Sequence, residues 1–117
     1  MAGAYVGEHA LFAGGQLEYS ASDTSVEAYD KSLTKTTIAP LSVSMPSVTG
    51  IEMNDYAIFI GNGAINIYDT SLTRTIDTSS IQIRNNIRAA SWGDYALIGG
   101  GMLNGVVSNM VDAYAIM

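Results

Sequence analysis

Two short phrases recur in fixed order three times along this chain, and that periodicity constrains its fold more than any other feature. The first phrase is His9-Ala10-Leu11-Phe12-Ala13-Gly14-Gly15. It returns as Tyr56-Ala57-Ile58-Phe59-Ile60-Gly61 and as Tyr95-Ala96-Leu97-Ile98-Gly99-Gly100. The second is Val26-Glu27-Ala28-Tyr29-Asp30-Lys31-Ser32-Leu33-Thr34-Lys35. It returns as Ile65-Asn66-Ile67-Tyr68-Asp69-Thr70-Ser71-Leu72-Thr73-Arg74 and, more briefly, as Val111-Asp112-Ala113-Tyr114. The alanines of the first phrase stand at 10, 57 and 96, with spacings of 47 and 39. The tyrosines of the second stand at 29, 68 and 114, with spacings of 39 and 46. A chain built this way folds as an array of one small unit.

Each unit reads as four short strands. The first, about Ala2–Val6 in unit one, runs into a tight turn at Gly7-Glu8, with equivalents at Asn54-Asp55 and Gly93-Asp94. Gly, Asn and Asp suit two-residue hairpin turns because they tolerate positive φ. The second strand is the Ala-Leu-Phe stretch, whose continuous apolar run predicts burial on both faces. The third alternates, with Val26 and Ala28 against Glu27 and Tyr29. The Asp-x-Ser-Leu-Thr phrase turns the chain into a fourth strand, about Lys35–Ala39 in unit one and Arg74–Thr78 in unit two; unit three lacks one. No window carries the helical spacing of apolar residues, and Pro40 and Pro46 bracket the first link between units.

A four-stranded antiparallel unit repeated every 40–50 residues is the signature of a propeller blade. In wording the chain resembles the kelch-repeat family, and more narrowly the kelch-like arrays of gut bacteria and their phages. The doublets Gly14-Gly15 and Gly100-Gly101 match that family's double glycine, and Tyr29, Tyr68 and Tyr114 its strand-three tyrosine. The strand-four tryptophan of the family is absent, leaving Leu33 and Leu72 to fill its volume, and unit two has Gly61-Asn62 in place of the doublet. The resemblance implies an all-β, kelch-like β-propeller arc in a single domain, residues 1–117. Its blades fall at about 1–41, 47–80 and 87–117, the last incomplete.

Propellers close with about 4–8 blades. An arc of three leaves two apolar sheet faces, and a homodimer forming a six-bladed ring is the simplest closure. Other closed rings and a longer parent array are the alternatives. Composition narrows the partners. Of the 117 residues 48% are apolar and only 14% charged, with five basic side chains and a net charge of −6. Nucleic acid and anionic membranes are poor partners for so few cations. No cysteine is present, so thiol chemistry and Cys-based zinc sites are excluded. The N-terminus lacks the basic and apolar regions of a signal peptide, and no apolar run approaches the ~20 residues of a membrane helix. The expected locale is soluble, cytoplasmic or virion-associated.

Strands that alternate direction place loops on two faces. The turns between strands one and two, and three and four, are short and repetitive. The loops between strands two and three, and the links between units, vary in length, and variation on one face of a rigid scaffold is how binding surfaces arise. That face carries Gln16, Glu18, Tyr19 and Asp23 from the first loop, and Arg84, Asn85 and Asn86 from the second link. Asn104 and Asn109, with Met102 and Leu103, come from the third loop. The amide, Arg and Tyr mixture suits recognition of a protein or glycan surface, set against the plainer account of solvated loop residues.

No catalytic constellation, metal site or cofactor motif stands out. His9, the single histidine, occupies the place of Tyr56 and Tyr95 and does their structural work. Asp30 and Asp69 recur at a turn, where Asp side chains bond nearby backbone N–H groups. Gly99-Gly100-Gly101 lacks the Lys-Ser/Thr of a phosphate loop and reads as a point of close approach between blades. Trp92, whose counterparts are Val6 and Met53, reads as buried packing rather than a glycan-stacking ring. The function expected is non-enzymatic binding or structure. An enzyme with carboxylates in the central funnel of an assembled ring, or a fragment without independent function, are the other readings.

Overall fold

The computed structural model describes residues 2–14, 24–43, 45, 48–61, 64–77, 86–103 and 105–115. They form strands β1 (Ala2–Val6), β2 (His9–Ala13), β3 (Val26–Tyr29), β4 (Lys35–Ile38), β5 (Thr49–Met53), β6 (Tyr56–Gly61), β7 (Ala64–Tyr68) and β8 (Arg74–Asp77). There follow β9 (Arg88–Trp92), β10 (Tyr95–Gly99), β11 (Met102–Leu103), β12 (Val106–Val107) and β13 (Val111–Tyr114). β1 to β4 make one four-stranded sheet in sequence order, and β5 to β8 a second. In the third, β10 lies between β9 and β13, while β11 and β12 form a separate hairpin.

The two recurring phrases are cross-strand partners. Ala10 faces Tyr29, Ala57 faces Tyr68 and Ala96 faces Tyr114, all antiparallel. The repeat in sequence is thus a repeated pairing register, which the small Ala permits beside the large Tyr. The hairpin turns carry the backbone that their residues favour. Gly7, Asn54 and Gly93 have φ of 57°, 54° and 59°.

The Asp-x-Ser-Leu-Thr turns are copies of one another. The Asp30 carboxylate accepts the N–H groups of Ser32 at 2.8 Å and Thr34 at 3.0 Å. Asp69 accepts those of Ser71 at 2.9 Å and Thr73 at 3.0 Å. This clamp holds Leu33 and Leu72 at φ 62°, a left-handed conformation that costs a leucine about 1–2 kcal/mol.

The core lies between sheets rather than within them. One cluster joins Ala4, Val6, Leu11, Ala13, Val26 and Ala28 of the first blade to Ala57, Phe59 and Tyr68 of the second. The other joins Ile51, Met53, Ile58, Ile60, Ile65 and Ile67 of the second blade to Ala96, Ile98 and Tyr114 of the third. Each blade therefore presents one face of its pleat forward and the other backward, as period-two strands require. Leu41 and Met45 of the first link, and Ile87 of the second, close these clusters at one edge.

Three expectations change here. Burial of the second strand on both faces holds for β6, but β2 and β10 bury alternate residues only. The apolar run recurs in all three; among the described residues the middle blade alone has a neighbour on each side. Leu33 and Leu72 do not share one role: Leu72 packs against the first core cluster, whereas Leu33 is 80% exposed. Trp92 is 77% exposed, although its counterparts Val6 and Met53 are buried, because the forward face of the third blade has nothing packed on it among the described residues.

The innermost strands β1, β5 and β9 approach one another in succession. On these strands the tightest point is Gly50, where a Cβ would stand 2.9 Å from the Gly3 carbonyl oxygen. Gly100, by contrast, has open space around it, so close approach occurs on the inner strands rather than at the glycine run after β10. The arc measures 43 × 39 × 20 Å. Its thin dimension is about one strand length, which sets the two classes of loop on the two broad faces. Gly50→Val is expected to lower stability by about 1–3 kcal/mol, because the new side chain would meet the Gly3 carbonyl oxygen, the Phe59 ring and Ala2 Cβ. Urea denaturation followed by far-ultraviolet circular dichroism checks this. Gly93→Asn, at a turn with open space, is expected to leave the midpoint close to that of the wild type.

Candidate functional site

The broad face bearing the long loops and links holds the candidate site. Gln16, Glu18, Tyr19, Asp23, Arg84, Asn85 and Asn104 lie outside the described residues. Asn86 is exposed in a turn at φ 58°, immediately before Ile87 enters the core. Asn109 is exposed beside Val106, Val107 and Ser108, which together line an open depression of ≈ 470 Å³. Asn86 is not among the residues lining it.

What the loop reading missed is that the third loop is itself a β-hairpin. Met102 pairs with Val107 and Leu103 with Val106. The signal was in the sequence: Asn104-Gly105 between apolar pairs is a strong hairpin cue, and Gly105 has φ 80°. The hairpin continues the pairing of β10 with β13 across an irregular step. The Gly100 N–H donates to the Met110 carbonyl at 3.0 Å, and the Ser108 N–H to the Gly101 carbonyl at 2.9 Å. From the Gly99–Val111 pair to the Met102–Val107 pair, one strand advances three residues and the other four. This one-residue bulge re-aims the hairpin. Val106 and Val107 are thereby held in solvent, Val107 at 80% exposure.

On the same face the link between the first and second blades is tied down by side chains of the second. Buried Asn66 accepts the Ser42 N–H at 2.8 Å and donates to the Ser42 hydroxyl at 2.9 Å. Tyr68 donates to the Ala39 carbonyl at 2.7 Å, and Arg74 to that of Pro40. Tyr114 repeats the tyrosine bond by donating to Asp77 of the preceding blade. Burial pushes the Tyr68 phenol up to about 12, with nearby Arg74 pulling the other way. Tyr114 is raised further, by burial first and then by its bond to Asp77 and that carboxylate's charge.

The opposite face carries short turns and one exposed ion pair, Lys31 to Glu8 at 3.2 Å. Among the described residues, no three His, Cys, Asp or Glu side chains gather as a metal site would need. Glu52 on inner strand β5 accepts the Tyr5 N–H at 3.1 Å, which occupies one of its oxygens in joining blades.

This geometry matches known architecture. The structure of YjhT aligns with TM-score 0.76 at 17% identity, covering 98% of this chain and 41% of that one. The chain is a three-bladed β-propeller arc. It spans about two fifths of the length of that neighbour. No protein-family model matches the sequence, and no curated protein matches it.

The inter-blade tyrosines make the arc sensitive to alkali. An unperturbed phenol ionises near 10, and in the folded arc Tyr68 holds its proton to about 12. The stability it contributes is full below pH 10 and is lost as pH rises toward 12. Tyr68→Phe is expected to cost ~1 kcal/mol at neutral pH through the lost hydrogen bond. It should also flatten the alkaline decline, read from thermal midpoints between pH 8 and 11.

Proposed function

We propose that the chain is a non-enzymatic binding or structural module of kelch-like propeller type, whose loop-bearing face meets a protein or glycan surface. The observation that carries this reading is the asymmetry of the two broad faces. One has short turns locked by Asp30 and Asp69. The other projects the β11–β12 hairpin, with Val106 and Val107 exposed beside the Asn109 amide. Exposed β-branched side chains on a hairpin are an apolar contact, and the neighbouring amide supplies direction. A setting in a phage or prophage-associated assembly agrees with the wording of the repeats, which resembles such arrays.

A glycan array probed with fluorescently labelled chain tests the reading. Saturable binding to a subset of glycans is expected, weakened about tenfold by Val107→Asp, the loss of one apolar contact at an interface centre. Equal binding by wild type and variant would remove the hairpin from the contact and sink the proposal. Chemical conversion of a bound glycan, lost on Glu52→Gln, would replace it with an enzyme working from the inner strands.

A further inference from the structure

The first blade ends in a face whose repeat counterpart is buried. Ala57, Phe59 and Tyr68 of the second blade sit in the first core cluster, with Leu72 packed against it. The same positions in the first blade are Ala10, Phe12, Tyr29 and Leu33, and they line an open depression of ≈ 440 Å³. The geometry of the two faces is alike. Phe12 meets Tyr29 edge-on at 6.0 Å and 79°, and Phe59 meets Tyr68 at 6.0 Å and 77°. Leu33 holds the same strained φ of 62° as Leu72, yet stands in solvent. Glu27, the one carboxylate at this depression, is neutralised by Lys35 at 3.1 Å.

The complement is at the other end of the chain. Trp92, Leu97 and Val111 of the third blade are exposed at the positions held by buried Val6, Leu11 and Val26 in the first blade. In the second blade Met53, Ile58 and Ile65 hold these positions, also buried. Those forward residues are the ones that receive the Phe59–Tyr68 and Ile98–Tyr114 faces. The chain thus carries both halves of a contact that it makes twice internally. We infer that the forward face of the third blade docks on the backward face of the first blade of a second copy. Two copies joined head to tail in this way close a six-bladed ring. Two copies give six blades and three give nine, so two is the one number of copies within the 4–8 blades over which propellers close. A head-to-tail contact that closes after two copies has twofold symmetry about the ring axis.

Sedimentation velocity and tryptophan fluorescence across a concentration series test the inference. The wild type is expected at twice 12.3 kDa. Its emission should shift to the blue as concentration rises, because the single Trp leaves water on assembly. Phe12→Glu and Leu97→Glu change exposed side chains at opposite ends, so circular dichroism of each is expected to match the wild type. Each alone should weaken assembly at least about tenfold, and an equimolar mixture should recover part of it, since one unaltered contact can then form. Leu33→Asn, which suits the left-handed backbone, should weaken assembly while leaving the monomer as stable or more so. A wild type that stays monomeric with red-shifted emission overturns the inference. So does a dimer unaffected by Leu97→Glu, which would pair two first blades face to face. A closed or open species of three or more copies overturns the two-copy ring.

Discussion

The contact between successive blades is what the structure depends on. Among the described residues no sheet has a core of its own, because a single four-stranded sheet can bury apolar side chains only against something else. The packing of Phe59 and Tyr68 onto Leu11, Ala13, Val26 and Ala28 supplies that burial for the first pair of blades. Ile98 and Tyr114 on the isoleucines of the second blade supply it for the next. Each fully buried side chain of this size contributes about 1.5–3 kcal/mol, so the two inter-blade layers carry most of the driving force.

The polar groups in those layers act at their edges. Tyr68 is buried in the apolar layer and donates its hydroxyl to the Ala39 carbonyl, while Asn66 closes on Ser42. Both bonds run from a blade to the link that leads into it. They fix where the link crosses, and so the angle at which one blade follows another. A buried amide with both ends satisfied is specific in a way that an isoleucine at the same place is not. Gly50 acts in the same sense at the inner edge, where the absence of a side chain lets β5 come up against β1.

The legibility of the chain follows from the same arrangement. Strand positions, hairpin turns and the Asp clamps were readable because they depend on residues close in sequence. Asp30 bonds residues two and four along, and Gly7 or Asn54 answers a local need for positive φ. The β11–β12 hairpin is equally local: its Asn104-Gly105 cue sits in a stretch whose variable length reads as a plain loop. Burial was the harder matter. Leu33 and Leu72, or Trp92 and Met53, occupy like positions in the repeat and differ completely in exposure.

The sequence by itself determined the unit: its strands, its turns, the apolar run of its second strand and the alternation of its third. Those features follow from pleat geometry and from turn chemistry within a few residues. Only the tertiary structure decided which faces are covered. Burial is a property of neighbours, and a repeat has the same residues at its ends as in its middle. The central blade, flanked on both sides, buries Phe59 and Tyr68 completely. Among the described residues the first blade, with the equivalent Phe12 and Tyr29, has a neighbour on one side alone and leaves the Phe12–Tyr29 face open.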